Sequence, residues 1–209
     1  MKGDLHIHSK YSPDSVLEPD MIIKTSRNKG LDFIAITDHN RFVKHKGEML
    51  IINGEEVSSA DGHILALFIE GEIAPGMSQG ETVDSIHDNN GIAVCAHPYR
   101  SVNGIGSKFI DIYDSIETKN GRCSRRCNRR SELLARNINK PMTAGSDSHF
   151  YSEIGRVFME TDATDEESIR KSIISGLIKT GGNDLTFLGQ VQLYFKLGRD
   201  YAVRGFKRI

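Results

Sequence analysis

Short apolar runs recur along this chain, and one after another they end in histidine or an acidic residue. The first is "DLHIH" at 4–8. Leu5 and Ile7 alternate with His6 and His8, so a strand here puts both imidazoles on one face. Further runs lie at 33–37, 49–54, 63–69, 92–97, 114–117, 141–146 and 156–160. Helical patterns fall between them at 19–29, 80–89, 129–137 and 165–175. Pro19 suits a first helical position, and "TDEESI" from Thr164 offers a cap followed by early acids. This alternation predicts parallel β/α units in one compact barrel or layered sheet.

At 209 residues, the chain has the size of one substantial domain, and no repeat or low-complexity linker divides it. Hydrophobic residues at 38% and charged residues at 26% describe an ordinary globular protein, and a net charge of −1 selects no partner. The N-terminus reaches "LHIH" too early for a signal peptide, and no apolar run is long enough to span a membrane. Cytoplasmic location and no membrane partner are therefore expected. Three cysteines, an odd number at low density, fit reduced thiols. The segment 186–209 carries five basic residues against one acid. A surface for RNA or membrane is one reading; the expectation adopted is a helical tail, 177–209, packed on the single domain 1–209.

The run ends supply His6 and His8, Asp38 and His39, Glu55 and Glu56, His97, and Asp147 and His149. Parallel β/α architectures gather chemistry at the carboxyl ends of their strands, so these groups converge on one rim. Without a cation, the gathered acids repel one another and the imidazoles lack acceptors; divalent ions remove both problems. Nitrogen and oxygen donors without cysteine suit zinc, manganese or iron. So many donors call for two or three ions, which at about 3.5–4 Å separation form the clamp used to activate water for displacement at phosphorus.

The ordered set "DLHIHSKYSPD", "AITDHN", "NGEEVSSADGHIL", "AHP" and "GSDSH" resembles the polymerase-and-histidinol-phosphatase (PHP) family of metal-dependent phosphoesterases, as does "SIETKNG…PMTAGSDSHFYSEIGR". The resemblance implies an α/β fold, a distorted seven-stranded β/α (TIM-like) barrel with up to three metals at its carboxyl rim. It also implies that His6 and His8 hold one ion with Glu56 and Asp147, Glu56 bridging. Glu56 is preferred over Glu55 because the family pattern of glycine, any residue, glutamate and an aliphatic reads here as Gly54-Glu55-Glu56-Val57. His63 and His97 complete the shell of a second ion, and Asp14, His39 and His149 resemble the ligands of a third ion. Asp14 stands where some members have histidine, which favours a harder metal. His63 has an alternative role on the substrate phosphate, and Asp38 is expected to orient a histidine.

Arg100, three residues past His97, is within reach of a phosphate with its planar fork. "NGRCSRRCNRR" (120–130) holds five arginines from Arg122 to Arg130, of which Arg122 is the candidate phosphate contact. Cys123 and Cys127 read as packing, and His45 and His87 as surface residues. "GEIAPGMSQG" lacks the Lys-Ser/Thr of a phosphate-binding loop, and no Gly-x-Ser-x-Gly elbow occurs. The resulting expectation is a metal-dependent phosphoesterase that hydrolyses a phosphomonoester or nucleotide with a metal-activated water. The alternatives are a 3′–5′ exonuclease or RNA-processing nuclease, and a non-catalytic RNA-binding subunit, against which the full ligand set argues.

Overall fold

A computed structural model describes residues 1–203. Its single sheet has nine strands where seven were expected: β1 (Lys2–Ile7), β2 (Phe33–His39), β3 (Leu50–Ser58), β4 (His63–Leu67), β5 (Ile92–Cys95), β6 (Ser115–Asn120), β7 (Met142–Gly145), β8 (Val157–Glu160) and β9 (Lys179–Gly182). They are ordered β7-β6-β5-β4-β3-β2-β1-β8-β9. The sheet curls until β1 meets the segment after β7, where His8 N donates to Ser148 O at 3.0 Å and Ser148 N to His6 O at 3.3 Å. The result is a nearly closed barrel.

Every apolar run in the sequence forms a strand, but the directions differ from the all-parallel expectation. β1, β2 and β3 are parallel, as are β5, β6 and β7, whereas β4 runs antiparallel to both β3 and β5. The physical reason is the short connection. Only four residues, 59–62, join β3 to β4, too few for the helical crossover that a parallel pair requires. β8 and β9 add antiparallel strands beyond β1.

Four helices match the amphipathic segments: α1 (Pro19–Asn28), α2 (Gln79–Asp88), α3 (Arg125–Asn137) and α4 (Glu166–Ser175). α3 starts four residues before the expected boundary because the Ser124 hydroxyl accepts the Cys127 amide at 3.3 Å and caps the helix. The Ser78–Glu81 capping box begins α2, and Gly176, in the left-handed region at φ 71°, ends α4.

Inward side chains Leu5, Phe33, Ala35, Ile52, Leu65, Leu67 and Val94 fill the barrel, together with Ile169 and Ile173 of α4. Outside the sheet, Ile34, Ile36 and Ile7 pack on Ile22 of α1, while Ile64, Ala66 and Ala93 pack on Val83 and Ile86 of α2. Each fully buried Leu or Ile contributes about 1.5–3 kcal/mol. Strict alternation fails in β1: a register shift between Asp4 and Ile7 sends Leu5 inward and Ile7 outward, although the sequence places them on one face.

The segment 177–209 is not wholly helical. Its first part supplies β9, and the helix, α5 (Phe187–Val203), follows. Lys196 Nζ of α5 lies 3.7 Å from the Phe150 ring centroid and 3.2 Å from Ser152 Oγ, so the helix rests on the loop after β7. Arg204, Lys207 and Arg208 of the basic tail lie outside the described residues. Among the described residues, no helix is long and apolar enough to cross a membrane.

Candidate metal centre

Seven segments deliver polar groups to one rim of the barrel. His6 comes from β1, with His8 just beyond it, His39 ends β2, and Glu56 lies near the end of β3. His63 begins β4, yet because β4 is antiparallel its first residue pairs with Ser58 and lands on the same rim. His97 follows β5, Asp147 and His149 follow β7, and Asp14 comes from the loop after β1. His97 (φ 27°) and Asp147 (φ 54°) both occupy the left-handed region. Each such residue costs about 1–3 kcal/mol, a strain that concentrates at functional sites.

Glu56, fully buried, is the hub. Its Oε1 lies 2.8 Å from both His63 Nδ1 and His97 Nε2. Its Oε2 lies 3.1 Å from His6 Nε2 and 3.2 Å from both His8 Nε2 and His39 Nδ1. Asp147 Oδ1 faces His8 Nε2 at 3.4 Å, His149 Nδ1 at 3.7 Å and His6 Nε2 at 3.8 Å. On the outer side, Asp14 Oδ2 meets His149 Nε2 at 2.9 Å and His39 Nε2 at 3.5 Å. All nine residues expected as metal ligands therefore meet, in four overlapping groups whose donor atoms lie within 4.8 Å of one another.

This donor set fits divalent ions. Bonds of 2.0–2.1 Å in a tetrahedral shell put neighbouring ligand atoms about 3.3 Å apart, and His6 Nε2 and His8 Nε2 are 3.1 Å apart. Among the described residues, His39 Nδ1, buried and close to Glu56, makes no hydrogen bond, and His97 Nδ1 has no partner either. Burial pushes the Glu56 carboxyl up, but His63, His6 and His39 outweigh it and hold the group well below the usual range. Asp147 is likewise lowered, against burial, by His6 and Arg100. In turn, the acids overcome burial to raise His6 well above its ordinary value and His8 to about 9. His97 and His149 fall to about 4 and about 3, through burial first and then Arg100 and Arg122 respectively. The cluster thus needs positive charge, which protons on His6 and His8 or divalent cations supply.

Glu117, which sequence reasoning passed over, anchors the rear of the centre. Its Oε1 lies 2.9 Å from His6 Nδ1, while Oε2 accepts from the His97 amide at 2.8 Å and Asn120 Nδ2 at 3.0 Å. The signal was present: an acid inside the apolar run that becomes β6. Asp4, also passed over, accepts from the Ser146 and Gly155 amides, each at 2.8 Å, and from the His6 amide at 3.3 Å. It ties β1 to both ends of the loop between β7 and β8.

Asp38 does not orient a histidine. Successive strand residues leave opposite faces, so Asp38 turns away from His39 and grips Ser9 instead, accepting from its amide at 2.6 Å and its hydroxyl at 2.7 Å. This fixes the chain just beyond His8. Arg100 Nη1 donates to Asp147 Oδ2 at 2.5 Å. The nearly buried Arg122 sits 3.8 Å from Glu153, whose carboxylate accepts the His149 amide at 3.1 Å. Its Nε and Nη2 have no hydrogen-bond partner among the described residues. His87 is exposed and paired with Asp114, whereas His45 is half-buried, its ring centroid 6.1 Å from that of Tyr11 rather than on the open surface.

Residues 125–178 match the family model described as PHP-associated. An uncharacterized protein of Methanocaldococcus jannaschii is 36% identical over 141 residues, which cover 57% of this chain and 82% of that protein. Among solved structures, the chain resembles a two-domain protein from Bacteroides vulgatus described as containing a predicted PHP-like metal-dependent phosphoesterase. The TM-score is 0.71 at 16% identity, covering 94% of this chain and 69% of the other. It also resembles the lesion-specific endonuclease EndoQ of Pyrococcus furiosus, with a TM-score of 0.65 at 19% identity, covering 88% of this chain and 59% of that one. At these identities, the structural likenesses speak for the fold.

Proposed function

Because this chain belongs to the polymerase-and-histidinol-phosphatase (PHP) domain family, we propose that it is a metal-dependent phosphoesterase acting on a phosphomonoester or nucleotide at a centre of two or three zinc, manganese or iron ions. The observation that carries this reading is the Glu56 carboxylate, buried and within 3.2 Å of nitrogens from five imidazoles.

In this reading, His6, His8, Glu56 and Asp147 hold one ion, His63 and His97 complete a second site with Glu56, and Asp14, His39 and His149 hold a third. Bound there, divalent ions lower the pKa of water and neutralise phosphoryl oxygens. The protein does the rest. Glu117 keeps the His6 proton on Nδ1, which turns the Nε2 lone pair towards the centre. Asp38 and Ser9 hold the chain that carries His8. Arg100 and Arg122 bind the phosphate, Arg100 with its planar fork and Arg122 with a guanidinium that has donors to spare. Water or a rim histidine such as His63, whose Nε2 lies 3.4 Å from Ser58 Oγ, protonates the departing alcohol oxygen.

A nuclease is the second reading. Lys119, Arg125, Arg126, Arg129 and Arg136 line a groove of about 950 Å³ beside α3 together with Glu132, which pairs with Arg129 and Arg136, and Asp184; the basic residues outnumber the acids, which suits a polyanion. The deciding experiment is metal analysis of the purified protein, together with a phosphate-release screen over sugar phosphates, nucleotides and short oligonucleotides. Bound zinc, manganese or iron with turnover of a small phosphomonoester is expected. Cleavage confined to oligonucleotides moves the assignment to the nuclease. Absence of both metal and turnover after reloading with each ion overturns it.

A further inference from the structure

Between His8 and Asp14 the chain turns back on itself, and one hydroxyl inside that loop touches His8, Asp14 and His39 together. It belongs to Ser12, which is fully buried. Ser12 Oγ donates to Asp14 Oδ1 at 2.9 Å, accepts the His39 amide at 3.2 Å and lies 3.2 Å from His8 Nδ1. The loop's own bonds put it there. The Ser12 amide donates to Ser9 O at 3.0 Å, Asp38 grips Ser9, and the Ser15 hydroxyl donates to the His8 carbonyl at 3.0 Å.

A serine hydroxyl has one proton to give and two lone pairs. The His39 amide can only donate and takes one lone pair; an ionised carboxylate can only accept, so Asp14 takes the proton. Only a lone pair is left for His8, whose Nδ1 must therefore carry a hydrogen. A neutral imidazole protonated on Nδ1 presents its own lone pair at Nε2. That nitrogen faces the centre, 3.1 Å from His6 Nε2, 3.2 Å from Glu56 Oε2 and 3.4 Å from Asp147 Oδ1. The same hydroxyl steadies the outer group. The Asp14 side chain is half-exposed, and with Oδ1 held by Ser12 its Oδ2 points to His149 Nε2 at 2.9 Å and His39 Nε2 at 3.5 Å.

We propose that Ser12 is a positioning residue for two ions at once. Its hydroxyl sets the His8 tautomer for the first ion and the placement of Asp14 and His39 for the third. This role presupposes that ions bind as proposed above. Without the hydroxyl, the His39 amide and the His8 Nδ1 proton lose their acceptor, and Asp14 is free to rotate. The third ion suffers most, because Asp14 reaches out towards solvent whereas His8 stays packed among Glu56, Asp147 and His6.

The test is calorimetric titration of the metal-free full chain with zinc and with manganese. Ser12→Ala is expected to bind about 10- to 100-fold more weakly at its weakest site, the usual loss for a group that orients a ligand. Ser12→Thr, which keeps the hydroxyl, is expected to recover the affinity, and urea unfolding checks that each variant is folded. Long-range proton–nitrogen NMR of the zinc-loaded wild type is expected to show His8, identified by its absence from His8→Gln, with its proton on Nδ1. In Ser12→Ala that proton signal is expected to be lost to exchange with water. The proposal is overturned by a wild-type His8 protonated on Nε2, by Ser12→Ala binding as tightly as wild type, or by a stably folded Ser12→Thr that binds as weakly as Ser12→Ala. A wild type that binds neither metal overturns the metal centre itself, and the role of Ser12 falls with it.

Discussion

Glu117→Gln changes one atom of a buried side chain and leaves its shape unaltered. In the native arrangement, Oε1 accepts the Nδ1 proton of His6 at 2.9 Å, so His6 Nε2 presents a lone pair to the centre, 3.1 Å from Glu56. Oε2 is committed to two donors, the His97 amide and Asn120 Nδ2. A glutamine carbonyl can satisfy those donors only by turning its NH2 towards His6 Nδ1. Nδ1 must then accept, and the imidazole proton moves to Nε2, where an ion has to bind. The opposite flip leaves two buried donors unpaired, at about 1–3 kcal/mol each. Losing such an orienting partner weakens metal binding about 10- to 100-fold, or about 1.4–2.7 kcal/mol. Competition of the metal-free protein with a chromogenic chelator for zinc or manganese measures the affinity, and urea unfolding checks that the fold survives. An affinity within twofold of wild type refutes the reasoning.

Gly145→Ala is expected to lower metal content, because a Cβ there collides with His6 Cβ and lies 2.8 Å from its amide nitrogen; unchanged metal stoichiometry would count against this packing. Asp4→Ala leaves the Ser146, Gly155 and His6 amides without their acceptor, and a loss of about 3 kcal/mol or more in urea unfolding is expected from unpaired buried donors. Arg100→Gln removes a charge-assisted donor of about 1.5–3 kcal/mol and is expected to raise KM for the phosphate ester at least about tenfold while metal content is retained; an unchanged KM removes Arg100 from the phosphate site.

The chain's own periodicity carried a large part of this structure. The apolar runs become strands, the amphipathic segments become α1 to α4, and the H-x-H, Gly-x-Glu, "AHP" and "GSDSH" stretches name residues that do converge. These are local properties: side-chain spacing and ligand chemistry are written in a few consecutive residues. What the sequence left open depends on which segments hydrogen-bond to one another. The short β3–β4 connection reverses β4 and so brings His63, at the start of a strand, to a rim otherwise built from strand ends. A register shift in β1 separates Leu5 from Ile7, and a ninth strand replaces the first part of the expected helical tail. Asp38 and Glu117 look alike in the sequence, each an acid in an apolar run. Only the closed sheet decides that one grips the chain beyond His8 and the other faces His6, because the partner of a buried carboxylate is set by the strand that happens to lie across from it.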